Sequence, residues 1–336
     1  RDDLVTGVQT CALPISVRSR TGAIHARRAG RAHGLTSLLA FVMTFGVLVP
    51  DTARAQDESA ARQDEARDLL RSGRYDEAID AYDAMIRAQP TATLARASMM
   101  EALIATGRYD EAIDVGRAAP EPGLVAHLTG DALQAVGRLN EAAQAYRQGA
   151  ASGARWALTS EARLAELTFA RGDVDDAMRR FDAFIDVYND AQGNLSSWDL
   201  VAVGRAVRHL GRTDPAYFQD ALKAFDEAST ADPTWAEPYV LIGNLFLEKY
   251  DSPAAKEEFE KVLVENPYHP GALLGMAESL TFDGASEANE YFERLFDVNP
   301  HHERAHSLIA MRYLRGENHG SARDRKSTRL NSSHQI

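Results

Sequence analysis

The amino-acid sequence predicts an all-α protein built from repeated helix–turn–helix units. Three observations lead to this fold class. A phrase of the kind Gly-Arg-Tyr-Asp-Glu-Ala returns along most of the chain. An aromatic residue usually follows four positions after the closing alanine, and a proline ends most units. The apolar residues recur at helical spacing in both halves of a unit. A fold made of stacked helix pairs accounts for all three observations.

The repeat is clearest in its alanines. Seven of them close the phrase or stand at the equivalent place, namely Ala78, Ala112, Ala142, Ala177, Ala221, Ala255 and Ala288. The steps between them are 34, 30, 35, 44, 34 and 33 residues. A single helix pair cannot bury its apolar face, so units of this kind must stack on one another. We therefore expect a continuous array over most of the chain.

One unit shows the whole pattern. Its marker residues are Tyr239, Ile242, Gly243, Phe246, Ala255, Phe259, Val262 and Pro267. The large apolar members fall on one face of each predicted helix. Gly243 and Ala255 are small, which lets two antiparallel helices approach closely. Pro267 ends the second helix, because proline lacks a backbone N–H and cannot continue the hydrogen-bond ladder.

These residues resemble the tetratricopeptide repeat family over roughly residues 60 to 320. The resemblance implies a right-handed α-solenoid of about seven to eight repeats. Residues 56–190 would hold repeats 1–4, and residues 191–323 would hold repeats 5–7 and the opening helix of an eighth. The long step of 44 residues contains a loop-like stretch at 189–197. We interpret it as a surface insertion, and the alternative is a hinge between two sub-arrays.

The two ends of the chain lack the repeat pattern and resemble each other at the level of DNA. Residues 3–15 and 324–336 can be encoded by the two strands of one stretch of DNA, in frame at every codon. Both also look like translated sequencing adapter. We interpret residues 1–16 and 324–336 as adapter-derived artefact and expect no folded structure from them. The only cysteine, Cys11, lies in this part of the chain.

Residues 17–55 resemble a secretory signal peptide. A group of arginines precedes the apolar run at residues 35–49, and Pro50 follows it. Ala53 and Ala55 supply the small side chains that a signal peptidase requires. The apolar run is short for a membrane span, which needs roughly 20 residues. We expect cleavage near Ala55 and a periplasmic or extracellular location, and the alternative is an uncleaved anchor.

Charge and cysteine content narrow the function classes. The 336 residues carry a formal charge of −12. Residues 56–323 hold 27 basic and 45 acidic side chains, which gives −18. This balance disfavours nucleic acid, whose phosphates are bound by basic patches. The stretch has no cysteine, so it offers neither a disulfide nor a thiolate ligand for a metal.

One string has the spelling of a catalytic motif. His302, Glu303 and His306 form H-E-x-x-H, the zinc and general-base pattern of metalloproteases. The string stands just after Pro300, at the start of a repeat's opening helix, and Arg304 occupies a place that is apolar in such enzymes. We disfavour a metal site here. The sequence predicts no catalytic residue, no metal and no cofactor.

The resemblance also suggests a binding surface. In the family, the inner wall of the array comes from the first helix of each repeat. Carried over by register, the candidate partner-binding residues are Trp198, Arg205, Arg208, Asn244, Leu247 and Glu278. The two arginines could meet an acidic group, although two arginines on one helix are usually a solvated face. Only Asn244 resembles the Lys/Asn/Arg clamp with which some members hold a peptide's terminal carboxylate, so binding of chaperone tails is disfavoured.

The sequence as a whole indicates an exported scaffold rather than an enzyme. We expect it to bind a protein or peptide through its concave surface, to bind no nucleic acid, and to contact a membrane only if the signal segment stays uncleaved. The alternative is that these repeats are the front part of a larger exported enzyme, such as a zinc metallopeptidase, whose catalytic domain would follow residue 323.

Overall fold

The computed structural model describes residues 51–315. Both adapter-like ends and most of the predicted signal peptide lie outside the described residues. Between residues 51 and 315 the chain forms fifteen α-helices and one short 3₁₀ helix, with no strand. The prediction of an all-α repeat fold is confirmed.

The helices alternate as first and second members of seven pairs, and a fifteenth helix follows. Their bounds are α1 Asp51–Arg71, α2 Tyr75–Ala88, α3 Thr93–Ala105, α4 Tyr109–Arg117, α5 Ala126–Ala135, α6 Leu139–Ala151, α7 Ala157–Ala170, α8 Val174–Ala191, α9 Ser197–Leu210, α10 Tyr217–Ala231, α11 Ala236–Glu248, α12 Ser252–Glu265, α13 Pro270–Phe282, α14 Ala288–Val298 and α15 Glu303–Arg315. The 3₁₀ helix, Pro122–Leu124, precedes α5.

The residues that define the repeat are the most deeply buried ones. All seven repeat alanines, from Ala78 to Ala288, have no exposed surface. The aromatic residues that follow them are 0–2% exposed, and they are Tyr82, Tyr146, Phe181, Phe225, Phe259 and Phe292. Each second helix therefore places a small residue at its closest approach to the first helix and a large ring one turn later.

Glycine on the facing helices makes room for these rings. The Phe259 ring of α12 lies between Gly243 of α11 and Gly275 of α13. A Cβ atom added to Gly243 would lie 2.5 Å from Cε1 of Phe259, which is shorter than a van der Waals contact. The two glycines let three helices from two successive repeats converge on one aromatic ring.

The insertion in the 44-residue step leaves the stacking intact. Helix α8 runs on to Ala191, and α9 begins at Ser197 with a capping box between Ser196 and Asp199. One apolar cluster continues from Ala162 to Leu245 across this loop. Leu195 of the inserted loop packs against this cluster, so the insertion adds to the shared core without interrupting it.

Among residues 51–315, no helix combines the length and the apolar character that crossing a bilayer requires. The apolar run at residues 35–49, on which the predicted signal peptide depends, lies outside the described residues.

The close approach around Phe259 gives a test of the packing. Gly243→Ala should lower the free energy of unfolding by about 1–3 kcal/mol, because the added methyl group overpacks the ring. Helix propensity alone predicts the opposite sign, a gain of about 1 kcal/mol. Thr230→Ala on the exposed side of α10 is the control and should be neutral or stabilising. Urea denaturation of the three proteins measures the difference, and a stabilised Gly243→Ala would contradict the packing.

Candidate functional site: the charged face of the first helices

The first helices carry a charged or polar side chain at one repeated position. Glu101, Asp131, Glu166 and Asn244 each stand eleven residues before the repeat alanine of the following helix. They lie on α3, α5, α7 and α11. Arg205 has the corresponding place on α9, where the insertion lengthens the spacing. Asp131, Glu166 and Arg205 each form an ion pair with a side chain of a neighbouring first helix.

Three side chains from this position and two from neighbouring positions form a continuous series of ion pairs. We name this series the inner charge row. Its members are Asp131, Arg163, Glu166, Arg205 and Glu237. Successive N–O distances along the row are 3.3, 3.5, 2.9 and 3.1 Å. Acidic and basic groups alternate over α5, α7, α9 and α11. Both arginines are therefore already bound to carboxylates of the same chain.

The centre of the inner charge row is Glu166. Arg205 donates to both oxygens of this carboxylate, at 3.1 and 2.9 Å. Burial alone would raise the pKa of Glu166, but Arg205, His209 and Arg163 outweigh burial and hold that pKa well below its usual range. Charge-assisted, two-pronged pairing of this kind fixes side-chain geometry. The row is thus a rigid feature of the first-helix face.

Two further ion pairs extend the charged face. Arg208 of α9 lies 3.4 Å from Glu248 of α11. Arg304 of α15 donates to both oxygens of Glu278 of α13, at 2.7 and 3.0 Å. Burial raises the pKa of Glu278, and Arg304 opposes that shift. These basic side chains, like those of the inner charge row, are neutralised within the chain.

Glu101 differs from the other acids of this face. Its carboxylate is partly buried, and it forms no hydrogen bond or ion pair with the residues from 58 to 314. Burial, together with the negative charge of Glu237, raises the pKa of Glu101 to about 7. Glu101 stands in the second repeat and Glu237 in the sixth.

A series of aromatic side chains, which we name the aromatic series, lies at the N-terminal ends of the first helices. Trp198 contacts Trp235 with ring centroids 4.0 Å apart, and it meets Trp156 edge-on at 6.1 Å. Trp156 in turn packs on His127 at 5.2 Å. Trp198 and Trp235 remain partly exposed, whereas Trp156 is 7% exposed. Trp235 stands two residues before Glu237, which is one end of the inner charge row.

The structure places the predicted partner-binding residues in three kinds of surroundings. Trp198 belongs to the aromatic series, and Arg205, Arg208 and Glu278 are bound in ion pairs. Asn244 is partly exposed and makes no side-chain hydrogen bond among the described residues. Leu247 packs against the apolar cluster around Phe259. Val201 of α9 and Val240 of α11 are buried at 4% and 5% exposure and therefore do not belong to the accessible face.

The H-E-x-x-H string is occupied by structural contacts. The backbone N–H of Ala305 donates to Nδ1 of His302 at 3.4 Å. The His306 ring stacks on Phe296 at 4.5 Å, and its Nε2 lies 2.7 Å from the carbonyl oxygen of Pro300. Burial lowers the pKa of His302 to about 4. Within residues 51–315, no group of three His, Cys, Asp or Glu side chains is arranged to hold a metal.

A groove of about 590 Å³ lies away from the charged face, between α8 and α10 beside the inserted loop. It is lined by Tyr188, Leu195, Leu222 and Lys223, among others. Two of its lining residues are joined, since Tyr188 donates a hydrogen bond to the Glu227 carboxylate at 2.9 Å. The groove is open and shallow, and none of the residues predicted from register lines it.

Sequence reasoning missed Glu101, Asp131, Arg163 and Glu166, although a signal for three of them was present. Counting eleven residues back from the repeat alanine identifies Asn244, and the same count in repeats 2–4 identifies the three acids. Arg163 has no such signal. It is recognised only from its distances to Asp131 and Glu166 in the folded chain.

The sequence was compared with protein-family models and with curated proteins. A family model described as tetratricopeptide repeat matches residues 64–123. Among curated proteins, none matches the sequence.

Three of the similar solved structures are described by sequence identity, coverage and TM-score. A chain of the APC/C hetero-tetramer Cut9–Hcn1 is 13% identical, with 85% of this chain and 57% of that chain covered and a TM-score of 0.49. A thermophilic tetratricopeptide-repeat protein of Thermus thermophilus is 17% identical, with coverages of 55% and 95% and a TM-score of 0.44. A tetratricopeptide-repeat protein from Parabacteroides merdae is 15% identical, with coverages of 83% and 94% and a TM-score of 0.44. The chain thus spans a little over half of the Cut9–Hcn1 chain.

The contrast between Glu101 and Glu166 predicts opposite effects of the same substitution. The pKa of Glu101 is raised to about 7, so the folded state keeps a proton that the unfolded chain releases near its ordinary pKa of 4.5. Stability therefore falls as pH rises from 4.5 to 7, and Glu101→Gln removes this loss. At pH 8 the variant should gain about 1–2 kcal/mol in the free energy of unfolding.

Glu166→Gln is the matched control, because the pKa of Glu166 is lowered and its stabilisation is present at every pH above the unfolded value. It should cost at least about 2 kcal/mol at pH 8. Denaturation of both variants at pH 5 and pH 8 measures the effect. The gain from Glu101→Gln should shrink at pH 5, and a loss of stability in that variant at pH 8 would refute the interpretation.

Proposed function

We propose that this chain, in which residues 64–123 match the tetratricopeptide-repeat family model, is an exported scaffold that binds a protein or peptide along the face of its first helices. Stacked repeats present an extended surface built from equivalent positions of successive units. In this chain that surface combines the aromatic series with the inner charge row. The proposal assigns no catalytic step to the repeats.

The single observation that carries the proposal is the partly exposed indole pair at the Glu237 end of the inner charge row. Trp198 and Trp235 contact each other at 4.0 Å and both remain partly open to solvent. Tryptophan and arginine are the residues in which binding energy is most often concentrated at protein interfaces. Arg205, held rigid by Glu166 and Glu237, loses little conformational entropy when a partner approaches.

The charges of this face favour some partners over others. Each arginine of the inner charge row and the flanking Arg208 and Arg304 already faces a carboxylate of the chain. A partner that presents carboxylates would have to displace these acids, at a cost in electrostatic energy. A partner that presents apolar, neutral or basic groups meets no such cost. This consideration also opposes a carboxylate clamp around Asn244.

The binding face is tested with Trp198→Ala. We expect this variant to lose most of the specific capture that the wild-type chain shows in quantitative pull-downs from a cell-envelope extract, because the indole pair is broken. Tyr250→Asn is the matched control. Tyr250 is 77% exposed in the turn before α12, and asparagine tolerates its left-handed backbone. Circular dichroism verifies that both variants fold, and equal capture by the two would contradict the proposed face.

Export is tested separately. When the full-length gene is expressed in a Gram-negative host, we expect a mature chain whose first residue is Gln56, since Ala53 and Ala55 form the small-residue site that a signal peptidase needs. N-terminal sequencing of the protein from the envelope fraction measures this. Ala55→Arg should leave a longer, uncleaved chain. A wild-type protein that keeps residues before Gln56 would refute cleavage at this site.

A further inference from the structure

Two pairs of residues that lie about 190 positions apart in sequence meet in the folded chain. Tyr75 of the first repeat contacts Asn266 of the sixth, and Tyr109 of the second contacts Asn299 of the seventh. We name these four residues the latch. Each tyrosine begins a second helix, and each asparagine lies in the loop that follows a second helix.

The two contacts of the latch have the same geometry. Nδ2 of Asn266 donates to the Tyr75 hydroxyl at 3.1 Å, and Nδ2 of Asn299 donates to the Tyr109 hydroxyl at 2.9 Å. Oδ1 of each asparagine accepts a backbone N–H two residues later, from Tyr268 at 3.0 Å in the first case. Asn266 is 5% exposed and Asn299 is 2% exposed. Both side-chain amides thus donate as well as accept hydrogen bonds in buried surroundings.

Apolar packing supports these hydrogen bonds. Val298, at the end of α14, packs against the cluster that contains Tyr75, Ile79 and Leu103 of the first two repeats. The same Val298 also packs with the cluster around Phe292 of its own repeat. Tyr75 is 8% exposed, and burial raises its pKa to about 12. The ends of the array therefore share apolar as well as polar contacts.

The loops themselves do not force the contact, because the same loop occurs elsewhere in the chain. Gln89 and Asp232 end their second helices with φ near −137° and ψ near 88°, like Asn266 and Asn299. Oδ1 of Asp232 accepts the N–H of Thr234, as in the latch asparagines. No contact of Asp232 to a distant repeat occurs among the described residues.

The turns before the second helices show the same division. Tyr75 and Tyr109 have the equivalents Leu139 and Val174 in the third and fourth repeats. Leu139 is 38% exposed and Val174 is 46% exposed. Tyrosine thus occurs at the two turns that meet a later repeat, and aliphatic residues occur at two turns that do not.

The glycines that precede these tyrosines fit the latch closely. A Cβ atom on Gly73 would lie 3.1 Å from Cγ of Asn266, with Oδ1 closer still, and one on Gly107 would lie 3.0 Å from Cγ of Asn299. The equivalent Gly137 has the same positive φ, 78° against 75° for Gly107, but a Cβ there meets nothing within 4 Å. Gly137 therefore separates backbone strain from loss of the latch contact.

We infer that the latch closes the repeat array on itself in solution and thereby fixes the curvature of the first-helix face. A stack in which each unit contacts only its neighbours behaves as a spring whose curvature varies easily. Contacts between repeat 1 and repeat 6, and between repeat 2 and repeat 7, join turns of this chain that the stacking order leaves apart. The inference holds whatever partner the face binds.

The first experiment compares glycine variants of the full chain by thermal unfolding. Gly107→Ala should lower the Tm more than Gly137→Ala, since both introduce the same backbone strain and only the former collides with Asn299. In an Asn299→Ala background the extra loss in Gly107→Ala should vanish. Asp232→Ala is the control for Asn299→Ala, because it removes the same loop hydrogen bond without touching the latch. Equal losses for Gly107→Ala and Gly137→Ala in the wild-type background would overturn the inference.

The second experiment detects opening without relying on global stability. In Tyr75→Phe/Tyr109→Phe, hydrogen exchange should become about tenfold faster at the latch turns, residues 72–76, 106–110, 266–269 and 299–302. Exchange at residues 136–140, the turn around Gly137, should stay unchanged. Tyr239→Phe is the control, because its hydroxyl donates to the Pro233 carbonyl in the loop just before its own helix. Unchanged exchange at the latch turns, or equally faster exchange at residues 136–140, would overturn the inference.

Discussion

The structure depends on one steric complementarity, the fit of a large aromatic ring against glycine and alanine on the facing helices. Phe259 occupies the space that Gly243 and Gly275 leave open. Tyr146 against Gly130 and Phe225 against Gly204 repeat the arrangement. Interiors are packed so densely that an added methyl group at such a place must displace the ring. The spacing between successive helices, and hence everything placed on their outer faces, follows from this fit.

The inner charge row is a consequence of that spacing. With the first helices held at a fixed distance, side chains at one register position come within ion-pair range of the next repeat. Arg205 then reaches Glu166 on one side and Glu237 on the other. Exposed ion pairs add little stability individually, but a connected and partly buried series constrains each member to one geometry. Glu101 lacks such a cation, and the charge of Glu237 adds to its cost of ionisation.

The spacing of residues along the sequence predicts which side chains are buried within a repeat. It does not predict contacts between side chains of different repeats. The seven alanines and their aromatic partners were assigned from spacing, and all are buried as expected, because burial within a repeat is a local matter. The carboxylate partners of Arg205 and Arg208 were not predicted, because these partners belong to adjacent repeats and, as with Glu248, to positions that the register did not single out. The spacing pattern could not predict the contact between Tyr109 and Asn299, because that contact depends on the rotation accumulated over five repeats.

That accumulated rotation explains why the latch has its particular chemistry. A small angle between successive units brings repeat 6 back to repeat 1 only if every intervening step is kept, so the contact is sensitive to all of the packing described above. An apolar residue in place of either asparagine would leave a loop N–H group without a hydrogen-bond acceptor in a buried setting, which is costly. Asparagine solves both problems, since its oxygen satisfies its own loop and its nitrogen remains free to donate. Tyrosine meets it with an apolar ring and an acceptor at the tip, and glycine just before the tyrosine leaves the room that the asparagine needs.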